Sequence, residues 1–554
     1  MSVLVRPNAI ALIPLLFALC SGGAAAVPVL EASIGFGGYT APGRWAPLWI
    51  RCADAPRVSS IQVVRVDAGG RETGIESFPA LGRTRLECPV LLSDDLSSVK
   101  VRLVSGGRKL AELEVDGSSG YFPGHLILAA GLSVASRQAV SAALMPGEPM
   151  VVVPVHLSNL PSNGLDYDGV SAVVIADAGG GKGAQEVALL TAGQRNALLA
   201  WIAGGGSLVV AAAREGAAGI FEDLGLGGLE GSGESAKFGF GKYGFIADAG
   251  KSSEIHWREA LDLRPYGSVP SIGPRSVAFG ADAPLPESSA ASRMRGIVRA
   301  ALGIWLSAVL AVAFFARKKT APFALIAGIA LVAVLAGGPV LERSFARGSR
   351  FKILALALPE AGMAFAAFRA EAYEGKGIFH RLGTGIVGPL SVGFGDVEEG
   401  SFGAWNHLLG KGTFSIAGSD QLTLCGLIDP ESWRKVLSSS VPPASRTGLL
   451  GSGFSPVSSE PPPIESTRPL AYRGAGADGS WWIKEPGASW LRAGRVPDWL
   501  AAEESWLVGL ARGRRDAAVL AGSCDASLVA FSIQGAPPAG DVVWVMPLRA
   551  EAAR

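Results

Sequence analysis

The sequence predicts a multidomain protein of the α/β plus β class, with a doubly wound α/β domain between β-rich regions and a two-helix transmembrane hairpin. Three observations lead to this prediction. Residues 27–118 alternate apolar and polar side chains, residues 119–265 hold short apolar runs separated by helix-length segments, and two long apolar stretches occupy about 299–316 and 321–341. Alternation is typical of half-buried strands, and short apolar runs are typical of a parallel sheet. Long apolar stretches are typical of membrane spans.

Composition excludes several classes of protein. The 554 residues carry 49 basic and 48 acidic side chains, so the formal net charge of +1 provides no overall attraction to nucleic acid. Hydrophobic residues make up 49% of the chain, which is too many for a mostly disordered protein. The 74 glycines follow no three-residue period, which excludes collagen. The low charged fraction of 18% indicates that part of the chain contacts lipid.

The N-terminus is predicted to be a signal peptide. Arg6 supplies the positive start, an apolar run covers residues 9–19, and alanines at 24–26 offer a small-residue cleavage site. Cys20 raises the alternative of a lipid anchor, but Leu19 precedes it where a lipidation motif has Gly or Ala. We therefore expect Cys20 to be removed with the signal.

The two apolar stretches at about 299–316 and 321–341 are joined by the basic segment 317–319. Each stretch is long enough, at about 17 to 21 residues, to cross a hydrocarbon core of about 30 Å as a helix. Apolar residues on every side favour two transmembrane helices over a pair of buried helices. An exported N-terminus then places the basic loop in the cytoplasm. The sequence thus predicts a protein of the bacterial inner (cytoplasmic) membrane, with the lipid bilayer as a partner and both large soluble portions periplasmic.

The first folded region is predicted to form an N-terminal β-sandwich. Apolar and polar residues alternate over 60–66, 84–88 and 99–104, and Asp, Gly and Pro clusters separate these runs. Trp45 and Trp49 lie in the same region. They either form a surface on which sugars stack or pack in the core, and core packing is the commoner role of such aromatic residues.

The next region, residues 119–265, is predicted to be a doubly wound α/β domain. Four short apolar runs are predicted strands: 125–130, 150–155, 170–176 and 207–212. Residues 189–203 form an amphipathic helical pattern in which Thr191 and Gln194 are spaced as a capping box. Short strands separated by helices favour a parallel sheet.

Four segments of this region carry a resemblance: Asp166–Gly169, the stretch 190–210 (LTAGQRNALLAWIAGGGSLVV), Gly239–Gly244, and the helix around Trp257. In these segments the chain resembles the class I glutamine-amidotransferase-like domain of bacterial membrane-anchored proteins that also have an N-terminal β domain. The resemblance implies a flavodoxin-like, amidotransferase-like fold. Its motifs form the fold more than they carry chemistry.

The same resemblance implies a cysteine nucleophile at a sharp strand-to-helix turn, where the thiol is exposed and activated. The corresponding stretch is Val209–Glu215, and it holds alanines and an arginine instead. No cysteine lies between Cys88 and Cys425, and Ser207 precedes the strand rather than following it. We therefore expect a catalytically degenerate domain without a catalytic residue, and a protein that is not an enzyme.

A glycine-rich loop, Asp177–Gly183, follows the predicted strand 170–176. Its amides and Lys182 offer a place for a phosphate or a carboxylate at the end of a parallel strand. Ala176 and Gly183 depart from the Walker A pattern, which favours an ordinary surface loop.

Neither histidines nor cysteines indicate a metal or cofactor site. The five histidines are scattered without metal-ligand spacing: His125, His156, His256, His380 and His407. The cysteines of the mature chain divide by region: Cys52 and Cys88, then Cys425 and Cys524. Export permits disulfides within each region, but four buried thiols are an equal alternative. No metal ligand and no cofactor is predicted.

The predicted domain boundaries are 1–26 for the signal peptide, 27–118 for the β-sandwich, 119–265 for the α/β domain, 266–295 for a linker, 296–341 for the two transmembrane helices, and 342–554 for a C-terminal extracytoplasmic β-rich domain with a flexible loop at 441–469. The last domain is rich in tryptophan. These side chains either bind glycan, lie near the bilayer interface or pack in a core.

The function that these observations favour is a non-enzymatic, membrane-anchored cell-envelope protein. Its extracytoplasmic domains are predicted to act as a scaffold or binding module for membrane or envelope protein partners, with no nucleic acid partner. Two alternatives stay open. One is an envelope hydrolase or amidase with an unrecognised site, and the other is a glycan- or small-ligand-binding protein that uses the loop 177–183 or the tryptophans.

Overall fold

The computed structural model describes residues 28–92, 96–118, 120–142, 149–176, 182–227, 235–247, 252, 254–263, 350–358, 363–371, 375–381, 386–394, 402–409, 411–416, 422–428, 430–443, 461–474, 480–501, 504, 507–508, 518–525, 531–533 and 541–548. Several predicted features lie outside these residues: the signal peptide 1–26, the linker 266–295, the segments 299–316 and 321–341, most of the loop 177–183, and positions 444–460 of the loop 441–469.

The strands, in chain order, are β1 (Val29–Ile34), β2 (Trp45–Asp67), β3 (Glu72–Leu91), β4 (Leu96–Ser105), β5 (Arg108–Asp116), β6 (His125–Ala130), β7 (Met150–Val155), β8 (Val170–Ala176), β9 (Ser207–Ala211), β10 (Ser235–Phe238), β11 (Gly241–Ile246), β12 (Arg350–Leu358), β13 (Met363–Glu371), β14 (Gly375–Arg381), β15 (Ile386–Phe394), β16 (Phe402–Asn406), β17 (Lys411–Ile416), β18 (Leu422–Ile428), β19 (Leu470–Arg473), β20 (Trp481–Lys484), β21 (Leu491–Ala493), β22 (Ala518–Asp525), β23 (Phe531–Ile533) and β24 (Asp541–Leu548). The α-helices are α1 (Val134–Ala142), α2 (Lys182–Ala188), α3 (Ala192–Ala203), α4 (Arg214–Leu224), α5 (Glu254–Leu261) and α6 (Pro430–Ser440).

The structure corrects the predicted fold class. Among the described residues strands predominate, and the helices are few and short. The longest helix among the described residues is α3, with 12 residues. At 1.5 Å per residue it extends about 18 Å, which is well short of a hydrocarbon core of about 30 Å.

The two-helix transmembrane hairpin was wrong as a part of this fold, because none of the described helices is both long and apolar enough to cross a bilayer. The segments 299–316 and 321–341, on which the prediction rested, lie outside the described residues. The predicted membrane anchor and the inner-membrane localisation are corrected with the hairpin from which they were inferred. Hydropathy reports how apolar a stretch is, and it does not establish that the stretch is a helix of spanning length.

Sheet A combines strands from distant parts of the sequence. Its order is β23-β14-β17-β16-β3-β2-β4-β5, and β1 pairs with β2. The junction is the parallel pair of β16 and β3, in which Ala404 lies opposite Ile75. Strands that follow residue 374 therefore complete a sheet that begins at Val29. Alternate apolar residues on one face of the N-terminal strands, including Ile50 and Val101, form a hydrophobic core.

Sheet B has the order β10-β11-β9-β8-β6-β7, and all its pairs are parallel except β10 with β11. Every residue of β6, β9 and β11 is buried, which accounts for the apolar runs that follow His125 in β6 and Ser207 in β9. Trp201 of α3 and Phe221 of α4 pack on one face, and Val140 of α1 and Trp257 of α5 pack on the other. The expected capping box of Thr191 at the start of α3 is confirmed.

Sheet C has the order β15-β18-β13-β12-β24-β22-β19-β20-β21. Two of the C-terminal tryptophans belong to its core: Trp481 is 4% exposed and Trp544 is fully buried. The Trp544 indole N–H donates to Ser440 Oγ of α6 at 3.2 Å, and the Trp490 indole N–H donates to the Pro462 carbonyl at 2.7 Å. Core packing is therefore the role of Trp481 and Trp544.

The sheet register places Cys52 and Cys88 too far apart for a disulfide. Cys52 lies opposite Thr84, whereas Cys88 lies opposite Leu48, so the two cysteines are four residues apart along neighbouring strands, or about 13 Å. A disulfide requires Cα atoms within about 7 Å. Burial also raises the pKa of the Cys88 thiol, which disfavours a reactive thiolate.

A close approach between α3 and the start of β9 depends on Gly206. A Cβ atom at this position would lie 2.3 Å from Cε2 of the buried Trp201 ring. The Trp201 indole N–H also donates to the Val170 carbonyl at 3.3 Å, which fixes the position of the ring next to Gly206. The backbone here passes the tryptophan closely only because residue 206 has no side chain.

We expect Gly206→Ala to reduce the free energy of unfolding by about 1 to 3 kcal/mol, because the added methyl overpacks the Trp201 pocket. The matched control is Gly219→Ala in α4, where a Cβ would meet nothing within 4 Å. That substitution is expected to stabilise by up to about 1 kcal/mol through helix propensity. Urea unfolding of both variants measures the difference, and equal effects at the two positions would contradict the proposed clash.

Candidate functional site

The segment Asp166–Gly169 joins sheet A to sheet B. It includes the end of a 3-10 turn, Gly164–Tyr167, which Asn163 caps by accepting the Leu165 N–H. The Asp168 carboxylate accepts the Trp45 backbone N–H at 3.2 Å and lies 3.6 Å from Nη1 of Arg44. These contacts fasten the turn before β8 to the first residues of β2.

Tyr167, the residue before Asp168 in this joint between the two sheets, is fully buried. Its ring centroid lies 6.4 Å from Phe36 and 5.6 Å from Trp201, so it packs between residues of the two sheet regions. Its hydroxyl donates to the Pro161 carbonyl at 3.3 Å. Gly169 follows Asp168, and a Cβ there would lie 2.9 Å from Cβ of Ala41. The joint is therefore tight, and aromatic packing accompanies its polar contacts.

Two carboxyl groups meet at this joint. The Glu87 carboxylate accepts the Ser162 N–H at 2.8 Å, the Ser162 hydroxyl at 3.1 Å and the Asn163 N–H at 3.2 Å. Asp166 is 1% exposed, and its carboxyl group lies beside that of Glu87. Burial raises the pKa of Asp166 well above its ordinary value, and the negative charge of Glu87 raises it further. This shift favours a neutral Asp166.

Beside the joint, two adjoining cavities lie between sheet A and sheet B, and we refer to them together as the Trp49 cleft. Their volumes are about 530 Å³ and about 560 Å³, and Trp49 and Arg85 line both. The loop after β7, with His156 and Asn159, faces the first cavity, and the start of α3 at Thr191 faces the second. These volumes are within the range of about 300 to 1,000 Å³ that is typical of small-ligand sites.

The sheet A wall of the Trp49 cleft consists of two rows of register partners. The first row is Ser33, Trp49 and Glu87, and the second is Glu31, Arg51 and Arg85. Because alternate residues of a strand point to the same face, both rows belong to one face of the sheet. Arg85 lies over the Trp49 ring, with Cζ 5.4 Å from the centroid, and its Nη2 donates to Asn159 Oδ1 at 3.0 Å. The Trp49 indole N–H donates to the Gly35 carbonyl at 3.1 Å.

The far end of the second cavity comes from the C-terminal part of the chain. His407, which follows β16, has Nε2 2.9 Å from Oε2 of Glu76, a residue 331 positions away. Its ring stacks on Phe78 with the centroids 4.0 Å apart. The Trp49 cleft is thus assembled from three regions of the sequence.

Other residues of the sequence analysis lie elsewhere. Strand β9 ends at Ala211 and α4 begins at Arg214, so Ala212 and Ala213 occupy the strand-to-helix turn. The Ser207 hydroxyl is buried and donates to the Leu261 carbonyl at 2.9 Å. No group of three or more His, Cys, Asp or Glu residues that could hold a metal ion occurs within the described ranges.

The two N-terminal tryptophans have different roles. Trp45 is 1% exposed and belongs to the core, whereas Trp49 is half-buried and lines the cleft. Sequence reasoning did not identify Arg51, Arg85 or Asn159 as site residues. The only signal for the two arginines was their position on alternating strands, and alternation does not show which residues lie opposite each other.

Replacing Asp166 by asparagine is expected to change how stability depends on pH. The unfolded carboxyl titrates near its ordinary pKa of 3.8, and the folded one titrates at a higher pKa. The stability that the protonated carboxyl contributes is therefore complete below the unfolded pKa and is lost as pH rises toward the folded one. Each unit of difference corresponds to about 1.4 kcal/mol. Asp166→Asn lacks this loss, so its stability relative to the wild type should increase from pH 4 to pH 8.

Urea unfolding at pH 4, 6 and 8 tests this expectation. The control is Asp223→Asn, because Asp223 is exposed near the end of α4. Its stability relative to the wild type should show little change with pH. If the difference between Asp166→Asn and the wild type were independent of pH, the assignment of a neutral Asp166 would be wrong.

Comparisons with known proteins assign no family and no function to this chain. The resemblance of residues 119–265 to class I glutamine-amidotransferase-like domains stays a prediction. The chain matches no protein-family model, no curated protein and no solved structure.

Proposed function

We propose that the protein is a non-enzymatic binding protein and that the Trp49 cleft is its ligand site. The observation that carries the proposal is the shared wall of the two cavities, where the half-buried Trp49 ring and the Arg85 guanidinium lie together. An apolar ring beside a small number of placed polar groups is the usual composition of a ligand site. The contact of Arg85 with Asn159 fixes the guanidinium in the wall.

The turn between β9 and α4 supports a role without catalysis. An amidotransferase-like enzyme places its nucleophile at such a turn, and this chain has Ala212 and Ala213 there. The nearby Ser207 hydroxyl donates to a backbone carbonyl. The Glu87 carboxylate accepts three hydrogen bonds from residues 162 and 163, and Asp166 is buried behind it. These hydrogen bonds hold the Glu87 carboxylate against residues 162 and 163.

A small ligand agrees better with the geometry than a large protein partner does. The described residues include exposed large apolar side chains such as Leu110, Leu189 and Leu491, which belong to different parts of the chain. By contrast, the cleft collects aromatic and charged groups in one place. The role of scaffold for protein partners stays a prediction from the sequence.

A thermal-shift screen tests the proposal. The probes are a panel of neutral sugars, sugar acids, sugar phosphates, nucleotides and amino acids at millimolar concentration. At about 100 times its Kd a ligand stabilises the folded state by about 2.7 kcal/mol, so at least one class should raise the Tm. The shift should disappear in Trp49→Ala and persist in the control Trp482→Ala, which truncates a half-buried tryptophan of sheet C.

Two results would contradict the proposal. A panel without any Tm shift in the wild type would argue against a small-ligand site. Chemical conversion of the ligand during incubation, detected by mass spectrometry, would argue against a non-enzymatic role.

A further inference from the structure

Arg51 and Arg85 are direct register partners on the neighbouring antiparallel strands β2 and β3. Side chains in such positions have Cβ atoms about 4.5 to 5.5 Å apart, and like charges directly opposite each other destabilise a sheet. Arg85 is compensated in part by the Trp49 ring and Asn159. Arg51 is exposed and forms no ion pair with any described side chain. The sheet therefore keeps two facing guanidinium groups at the edge of a cavity.

The two arginines have hydrogen-bond donors available for an anion. A guanidinium has five N–H donors in a fork that matches a carboxylate, and the Arg85 contact with Asn159 uses one of them. Both arginines line the first cavity. An anion between them would relieve their repulsion and accept hydrogen bonds from each.

The neighbouring acidic groups limit the charge of this anion. Glu31 is the next residue in the same row, and Glu87 lies opposite Trp49 in the adjacent row. A dianion such as a phosphate monoester would place its second charge close to these carboxylates. A single carboxylate satisfies the arginines with less repulsion.

The remaining groups of the first cavity suit a ligand that carries hydroxyl groups. Glu31 is an acceptor, and Asn159 and His156 offer amide and imidazole groups. The half-buried Trp49 ring supplies an apolar surface for the C–H groups of a sugar ring.

We propose that the Trp49 cleft recognises a sugar that carries a carboxylate, with Arg51 and Arg85 binding the carboxylate and Trp49 contacting the sugar ring. This inference rests on the proposed binding function and specifies its ligand class. The acid is either a free sugar acid or an acidic unit of an oligosaccharide, and both present the same carboxylate and ring.

Isothermal titration of the full chain with glucuronic acid tests the inference, with glucose and glucose 6-phosphate as comparison ligands. Glucuronic acid should bind at least about tenfold more tightly than glucose, as expected for charge-assisted hydrogen bonds. It should also bind more tightly than glucose 6-phosphate. A short oligogalacturonate distinguishes the two sources, because an oligosaccharide site would favour it over the monosaccharide.

Arg51→Gln and Arg85→Gln should each weaken glucuronic acid binding by at least about tenfold and leave glucose binding nearly unchanged. Arg108→Gln, at an exposed arginine of β5, is the matched control and should have no effect. Arg51→Gln should also leave the Tm of the unliganded protein nearly unchanged, because it removes the repulsion from Arg85 together with the attraction to Glu31, whereas loss of a structural role for Arg51 would lower the Tm.

The outcomes separate this inference from the proposed function. Equal binding of glucose and glucuronic acid, or tighter binding of glucose 6-phosphate, would overturn the carboxylate assignment and leave a binding cleft. If another class of compound in the panel bound in a way that depends on Trp49 and sugar acids did not bind, the carboxylate assignment would also be overturned and the binding cleft would stand. Absence of binding by every probe would overturn both proposals.

Discussion

The architecture depends on the joint at Asp166–Gly169. There the Asp168 carboxylate accepts the Trp45 backbone N–H, and the Tyr167 ring packs between Phe36 and Trp201. A buried carboxylate that receives a backbone donor is costly to separate, because both groups would lose their partner inside the core. Burial of the aromatic rings adds a large apolar contribution. The positions of sheets A and B relative to each other follow from this contact.

The Trp49 cleft is a consequence of that fixed position. The polar face of β1, β2 and β3 lies opposite the loop that follows β7, and polar contacts cross the gap at separate points. Arg85 donates to Asn159 on one side, and Glu87 accepts from Ser162 on the other. Between these contacts the walls remain apart, because the apolar packing that brings the sheets together occurs at Tyr167. The cleft thus lies beside the apolar core, and the side chains of the core do not fill it.

Local structure was the part that the sequence predicted well. Apolar runs at 125–130 and 170–176 match β6 and β8, and the capping box at Thr191 begins α3. These features depend on residues close to one another in the chain, so their signals are complete within a short window. The transmembrane hairpin was wrong, and Cys52 and Cys88 are too far apart in their sheet for a disulfide. The separation of the two cysteines depends on strand register, which composition does not contain.

By itself, the sequence determined four of the six strands of the α/β region and the helix that follows Thr191, and it showed that alanines occupy the turn where a nucleophile would be needed. Only the tertiary structure decided that Arg51 faces Arg85, that Trp49 lines a cavity while Trp45 lies in the core, and that His407 contacts Glu76. The physical reason is the nature of strand pairing. Alternation determines which side chains share a face, whereas the partner strand and its register depend on contacts between residues far apart in the chain.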